Sequence, residues 1–142
     1  LIISSNEFLY FIDINSGAII YKKRIILDLK PIISNNYGFF VSKNNLLISI
    51  DLRNGKILYS YNINQQIAEF LNIEKKRVEF KNIYLVNDSI YIFLKNSHIL
   101  RFNIEGKLKK VIKLKSKINT DPIFVNGSMI FLNQNNKLVI LD

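Results

Sequence analysis

Four eleven-residue stretches align on their last residue without a gap: Ile3–Asp13 (ISSNEFLYFID), Val41–Asp51 (VSKNNLLISID), Phe93–Asn103 (FLKNSHILRFN) and Leu132–Asp142 (LNQNNKLVILD). Each ends one apolar run, crosses a short polar cluster containing Asn, and enters a second apolar run that stops at Asp or Asn. The clusters are Ser5-Asn6-Glu7, Lys43-Asn44-Asn45, Lys95-Asn96-Ser97 and Asn135-Asn136. Asn tolerates the positive φ of a tight connection, so each stretch reads as a β-hairpin.

Beyond the terminal Asx residue comes a second turn and another strand. It runs as DINSGAIIY from Asp13 to Tyr21, as DLRNGKILY from Asp51 to Tyr59, and one residue shorter as NIEGKLKK from Asn103 to Lys110. An Asx side chain can cap such a turn, and glycine takes the left-handed position that other residues resist. Asp13, Gly17, Asp51, Gly55, Asn103 and Gly106 are therefore expected to be structural turn residues. A further strand precedes each of the last three copies, at Pro31–Ser34, Asn82–Val86 and Pro122–Val125, and the last two turn at Asn87-Asp88 and Asn126-Gly127.

Each unit is thus four antiparallel strands in sequence, and the aligned Asx residues stand 38, 52 and 39 residues apart. A period near 40 with four strands per unit is the signature of propeller blades. The expected fold class is all-β, a β-propeller fragment of about three and a half four-stranded antiparallel blades. Those blades fall at approximately 1–25, 31–63, 82–114 and 122–142, with an inter-blade insertion at 64–81. On this count the first blade lacks its innermost strand and the fourth stops after its third. The chain is accordingly expected to be the C-terminal part of a longer propeller, completed by remaining blades of the same protein. Asp142 would be a natural C-terminus if an N-terminal strand completes the last blade.

The turn pattern, with Leu9-Tyr10-Phe11-Ile12-Asp13 followed by Gly17 and Tyr21, and Leu47-Ile48-Ser49-Ile50-Asp51 followed by Gly55 and Tyr59, resembles the PQQ-like repeat. That repeat usually reads Leu-Tyr-Ala-Leu-Asp-x-x-Thr-Gly-Lys-x-x-Trp. Tyr stands twice in place of its docking Trp, Lys110 once, and Ser16 or Asn54 in place of its Thr. Two classes use this repeat. Quinoprotein dehydrogenases hold pyrroloquinoline quinone and calcium, stacking the quinone on Trp and often against a vicinal cysteine pair. The BamB family consists of noncatalytic scaffolds of outer-membrane β-barrel assembly. The sequence has no Trp and no Cys, and its short blades are more similar to the BamB family. That resemblance implies a noncatalytic scaffold at the periplasmic face of the outer membrane, with a protein partner and no cofactor. A quinoprotein oxidoreductase with its catalytic residues in other blades, and a propeller binding module of unrelated purpose, are the alternative classes.

Composition narrows the field further. The net charge is +9, but the 20 basic residues are 16 Lys and only 4 Arg, scattered through turns and strand ends. The run Lys107–Lys117 alternates with Leu108, Val111, Ile112 and Leu114, as a strand with one solvated face does. The aromatic and arginine pattern of a nucleic-acid stacking platform is absent, so no nucleic-acid partner is expected. The abundance of Ile, Asn and Lys has the look of a codon bias toward adenine and thymine. No run of 18 or more apolar residues occurs, so no transmembrane segment is expected in this chain.

No catalytic, cofactor or metal site is expected. The single histidine, His98, aligns with Phe8, Leu46 and Lys137, which reads as a freely varying strand edge. Asp13, Asp51 and Asp142 recur once per blade, too far apart for paired acid–base work. Asp13, Asn15 and Gly17 echo a calcium loop, but its twelfth position is Arg24 rather than an acid. The irregular feature is NQQIAEFLNIEKKRVEFK, Asn64–Lys81, which lengthens the step between the second and third blades. Ile67, Phe70, Leu71 and Glu74 fall at helical spacing, so a short amphipathic helix is expected over Gln65–Lys76. Its apolar residues either cover the neighbouring blade or meet a partner, and Ile67, Phe70, Leu71 and Arg77 are the partner-contact candidates.

Overall fold

The computed structural model describes residues 1–141. Asp142, the last of the aligned Asx positions, lies outside the described residues. Four antiparallel sheets follow one another along the chain. The first is β1 (Ile2–Ser4), β2 (Leu9–Ile12) and β3 (Ile19–Lys23). The second is β4 (Ile32–Ser34), β5 (Tyr37–Val41), β6 (Leu46–Asp51) and β7 (Lys56–Asn62). A helix, α1 (Ile63–Leu71), leads to β8 (Phe80–Val86), β9 (Ser89–Leu94), β10 (His98–Asn103) and β11 (Leu108–Lys113). The last sheet is β12 (Ile123–Val125), β13 (Ser128–Leu132) and β14 (Leu138–Leu141). Every strand pairs only with its chain neighbours, which is the meander of a propeller blade.

The burial pattern shows how the sheets stack. In β5 all of Gly38–Val41 is buried, and in β6 all of Leu47–Asp51. Alternate residues of such a strand point to opposite faces, and each face here has its own apolar neighbour. Phe40, Ile48 and Ile50 pack on Leu9 and Phe11 of the first sheet and on Ile25 just beyond it. Phe39, Val41 and Leu47 pack on Phe80, Ile83, Ile92 and Leu100 of the third. Phe93 and Ile99 then turn the other face of the third sheet onto Met129 and Phe131 of the fourth. Continuous apolar runs such as SIYIFL (residues 89–94) arise because a central blade is buried on both sides. At about 2 kcal/mol for each large apolar side chain removed from water, these three interfaces carry the fold.

Local chemistry sets the turns. Asn87 (φ 46°) with Asp88 (φ 55°), and Asn126 (φ 50°) with Gly127 (φ 87°), give both central positions of their hairpins the left-handed conformation. Asn45, Ser97 and Asn136 take the left-handed position of the five-residue hairpins at φ 61°, 65° and 56°. The first copy differs. Ser4 pairs with Leu9 whereas Val41 pairs with Leu47, so the first hairpin is one residue shorter than the gapless alignment implies. No left-handed residue is needed there, and the Ser5 hydroxyl closes the turn by accepting from the Phe8 N–H at 3.0 Å.

The bounds of four elements are corrected. The helix spans Ile63–Leu71, not Gln65–Lys76. The Asn62 side chain, at the end of β7, accepts from the Gln65 N–H and starts the helix early, while Asn72 enters the left-handed region (φ 51°) and stops it. Glu74 consequently lies beyond the helix. Phe80 and Lys81, expected in the insertion, belong to β8, because Phe80 pairs with Leu94 ahead of a bulge at Lys81. Strands expected to begin at Pro31 and Pro122 begin one residue later, since proline has no N–H to give the ladder.

A second contact keys successive blades together. Tyr21, on the outer strand of the first sheet, lies over Gly55 in the second, where an added Cβ would stand 2.8 Å from the ring. Its hydroxyl donates to the Leu52 carbonyl at 2.9 Å. Tyr59 repeats this one blade on, lying over Gly106 and donating to the Ile104 carbonyl at 3.0 Å. Gly55 (φ 72°) and Gly106 (φ 77°) are therefore held to glycine twice, by conformation and by the ring above. Between the third and fourth blades Lys110 stands at the aligned position, and the aromatic contact shifts inward: Phe124 lies 5.9 Å from Tyr84 and 5.4 Å from Tyr91.

Three substitutions separate these contributions. Tyr59→Phe, which loses one hydrogen bond, should cost about 1 kcal/mol in urea unfolding. Tyr59→Ala should cost about 3 kcal/mol. Gly106→Ala should exceed Tyr59→Phe, because it adds left-handed strain of about 1 kcal/mol or more to the displacement of the ring.

Candidate functional site

The expected turn residues form a series of closely related turns. The Asp13 carboxylate accepts from the N–H groups of Asn15 (2.9 Å) and Ser16 (2.8 Å) and from the Ser16 hydroxyl, while the Gly17 N–H closes onto the Asp13 carbonyl. Asp51 accepts from the Arg53 N–H at 3.0 Å, and the Gly55 N–H reaches the Asp51 carbonyl at 2.8 Å. Asn103 accepts from the Lys107 N–H at 2.8 Å, and the Gly106 N–H donates to the Asn103 carbonyl. One residue fewer between Asn103 and Gly106 moves the capped N–H to Lys107, beyond the glycine. Each Asx side chain is thus committed to its own blade.

Electrostatics follow from this geometry. The Arg53 guanidinium folds back on Asp51, with Nη2 to Oδ2 at 2.6 Å. This hydrogen bond, aided by the Arg53 backbone N–H, holds the Asp51 carboxyl down to about 2. The backbone and hydroxyl of Ser16 lower that of Asp13 in the same way. Tyr84 is pushed up to about 12, by burial first and then by Asp121, whose carboxylate accepts from the Tyr84 hydroxyl at 3.0 Å and from Asn82 at 2.7 Å. Burial raises Tyr59 as well. These groups lie in turns and blade seams. His98 is half-buried, with Nδ1 within 3.0 Å of the Asn96 carbonyl. Among the described residues no three His, Cys, Asp or Glu side chains gather where they could hold a metal ion.

The excursion between the second and third blades divides the four partner-contact candidates. Ile67 packs against the interface of those blades, beside buried Ile63 and Ala68. Gln66 pins the helix by donating to the Gly106 carbonyl at 2.9 Å and accepting from the Leu108 N–H at 2.9 Å. Asn64 and Asn45 tie down the returning segment through the N–H and carbonyl of Val78. Phe70 and Leu71 are instead 48% and 43% exposed, and Ile73 is 51% exposed. Arg77 lines a cleft of about 370 Å³ with Asp28, Lys43, Glu79, Lys81 and Lys95.

Within that cleft Lys95 pairs with Glu79 at 3.1 Å, and Lys81 donates to the Ile118 carbonyl at 2.9 Å. Lys43 and Arg77 have no carboxylate partner among the described residues. The structure therefore turns Ile67 half-buried against the blades and leaves Phe70, Leu71 and Arg77 available. It also adds Ile73, which helical spacing could not mark because it lies past the helix, and the lysines of two hairpin turns distant in sequence. No helix among the described residues is long and apolar enough to cross a membrane.

No known family's sequence pattern matches the chain, and no curated protein matches it in sequence. Solved structures do match in fold. BamB from Moraxella catarrhalis superposes with a TM-score of 0.51 at 11% identity, over 95% of this chain and 51% of that one. The computationally designed Ika4 protein gives 0.65 at 11% identity, covering 99% and 82%. Hsv2p of Kluyveromyces lactis gives 0.60 at 16% identity, covering 99% and 41%. The class so defined is the β-propeller. The chain spans about half the length of BamB and less than half of Hsv2p. At such identities, and with a lower TM-score to BamB than to the other two, the superpositions establish the propeller and no particular member of it.

The Asp51 turn generates a pH dependence. Its folded-state value near 2 lies below the usual carboxylate value near 4. Its contribution is therefore complete above about pH 4 and is lost as pH falls toward 2, because the unfolded chain takes up the proton first. Asp51→Asn should flatten the loss of urea stability across that window relative to the unsubstituted protein.

Proposed function

We propose that the chain is part of a noncatalytic propeller scaffold, a BamB-like component that assists outer-membrane β-barrel assembly through protein–protein contacts at the periplasmic face of the outer membrane. The observation that carries the reading is the excursion 63–79. It interrupts an otherwise regular repeat, is pinned to the blades on one side by Gln66 and by Asn45 of the second blade, and presents Phe70, Leu71 and Ile73 to solvent on the other. Large apolar side chains on a rigid, anchored element lose little entropy on docking and make efficient interface centres. Lys75, Lys76 and Arg77 follow directly and supply the cationic rim that steers an acidic partner surface. The PQQ-like turn pattern and the fold shared with BamB support placing this scaffold in outer-membrane assembly.

The test is to replace Phe70 and Leu71 together by Ser in the protein as its host bacterium makes it, with retained folding checked by circular dichroism. Affinity for the captured protein partner should fall about tenfold or more, and outer-membrane porin levels should drop. Unchanged porin levels with a folded double variant would remove the proposal. Arg77→Glu should act mainly on the association rate, and its effect should fade in high salt.

A further inference from the structure

At one end of the blades, a backbone hydrogen bond ties each of the last three hairpins to the connector that enters its blade. The N–H of Lys43 donates to the Ile26 carbonyl, that of Lys95 to Glu79 and that of Gln134 to Lys117, at 2.9–3.0 Å. The connector that leaves the blade is held as well, by the Ile63 N–H on the Asn45 carbonyl and the Leu114 N–H on the Ser97 carbonyl, both at 2.8 Å. The second and third seams therefore share one backbone frame. Within it Ser97 takes the place of Asn45, Gln134 that of Lys95, and Lys117 that of Glu79.

Side chains fill the two frames differently. At the second seam the Asn45 amide crosses to the Val78 carbonyl at 3.2 Å, and Lys95 pairs with Glu79 at 3.1 Å. At the third seam Ser97 makes no such bond, and Gln134 and Lys117 stand where the ion pair stood. The side chains of Ser97, Gln134 and Lys117 have no hydrogen bond or ion pair among the described residues. Between them lies a cavity of about 140 Å³, edged also by Lys81, Lys95 and His98, with buried Phe93 and Leu114 in its wall.

The chemistry of this lining is one-sided. Three ammonium groups meet a hydroxyl, a primary amide and an imidazole, and no carboxylate lines the cavity. Lys81 is fixed at the edge by donating to the Ile118 carbonyl at 2.9 Å, which leaves it two further N–H groups. The His98 ring is held there by the Asn96 carbonyl, 3.0 Å from Nδ1. Like charges beside apolar walls repel one another more strongly than in bulk water, and an anion among them removes that repulsion. Donors arriving from several elements suit the oxygens of a tetrahedral phosphate, which lysine binds as a point charge.

We infer that this cavity binds a phosphate group, with Lys81, Lys95 and Lys117 supplying the charge and Ser97 and Gln134 the neutral donors. The exposed side chains of Lys81, Lys95, Lys117 and Gln134 leave its mouth open to solvent, so a phosphomonoester fits with its organic group outside. The inference uses none of Phe70, Leu71 and Arg77 and stands apart from the scaffold role.

The test titrates inorganic phosphate, and separately phenyl phosphate, into the full-length protein by isothermal titration calorimetry. The buffer is free of phosphate and sulfate and of moderate ionic strength, where distant charges are screened. Saturable binding is expected, and Lys117→Ala should weaken it about tenfold. Ser97→Asn places at position 97 the residue that holds the same left-handed position in the second and fourth blades, at Asn45 and Asn136. It should therefore fold normally, as circular dichroism would check, and abolish binding by setting an amide in the cavity. Lys115→Ala removes the same charge from the same connector outside the lining and should change affinity far less. Tighter binding of phenyl phosphate than of the inorganic ion assigns a phosphomonoester as the ligand, and equal or weaker binding assigns the free ion. The proposal is overturned by an absence of saturable binding, by binding that survives in folded Ser97→Asn, or by equal losses in Lys115→Ala and Lys117→Ala.

Discussion

Everything in this chain depends on covering both faces of an antiparallel blade. A four-stranded sheet with apolar side chains on both sides cannot rest in water alone, so the second and third blades are stable only between neighbours. Burial supplies most of the energy but is non-directional. The tyrosines supply the register. A ring seated over a turn glycine, with its hydroxyl on one specific carbonyl, fixes where one blade sits against the next. The glycine serves this contact as much as its own turn, since any side chain there would collide with the ring.

The third seam solves the same problem differently. With Lys110 where Tyr21 and Tyr59 stand, the outer part of the boundary opens into a cleft lined by Arg101, Lys110 and Tyr91. The inner part is locked instead, with Phe124 against Tyr84 and Tyr91, and Asp121 joined to Asn82 and Tyr84. The excursion between the second and third blades follows similar economy. Its amides fasten it down, leaving Phe70, Leu71 and Ile73 uncommitted to the core. An element can present apolar groups to water only when other groups hold it in place, and Gln66, Asn64 and Asn45 do that here.

Much of the fold was legible because propeller repeats write their rules locally. Strand alternation, Asn at left-handed positions and the Asx-to-glycine spacing depend on residues close in sequence, and each recurs. The errors came where a distant or subtle competitor acted. The shorter first hairpin escaped notice because Ser5 closes it without a left-handed residue, and the lost residue shifts β1 by one position, which reverses the faces of Ile2 and Ile3. The helix boundaries moved because two Asn caps outweigh apolar periodicity. Of the candidate surface, Phe70, Leu71 and Arg77 could be named from sequence, but the grouping of Arg77 with Lys43 and Lys95 could not, since those lysines sit on hairpins of different blades.

By itself, then, the sequence determined the strands, their turns, the blade as repeating unit and the place where the repeat breaks. Only the tertiary structure decided which face of each strand is covered, that Tyr21 and Tyr59 reach forward to the next blade's glycine, and that Ile67 packs on the blades while Phe70 does not. The physical reason is range. Backbone conformation and hairpin pairing are set by near neighbours, whereas burial and docking depend on which sheets are brought side by side, and a linear pattern does not carry that information.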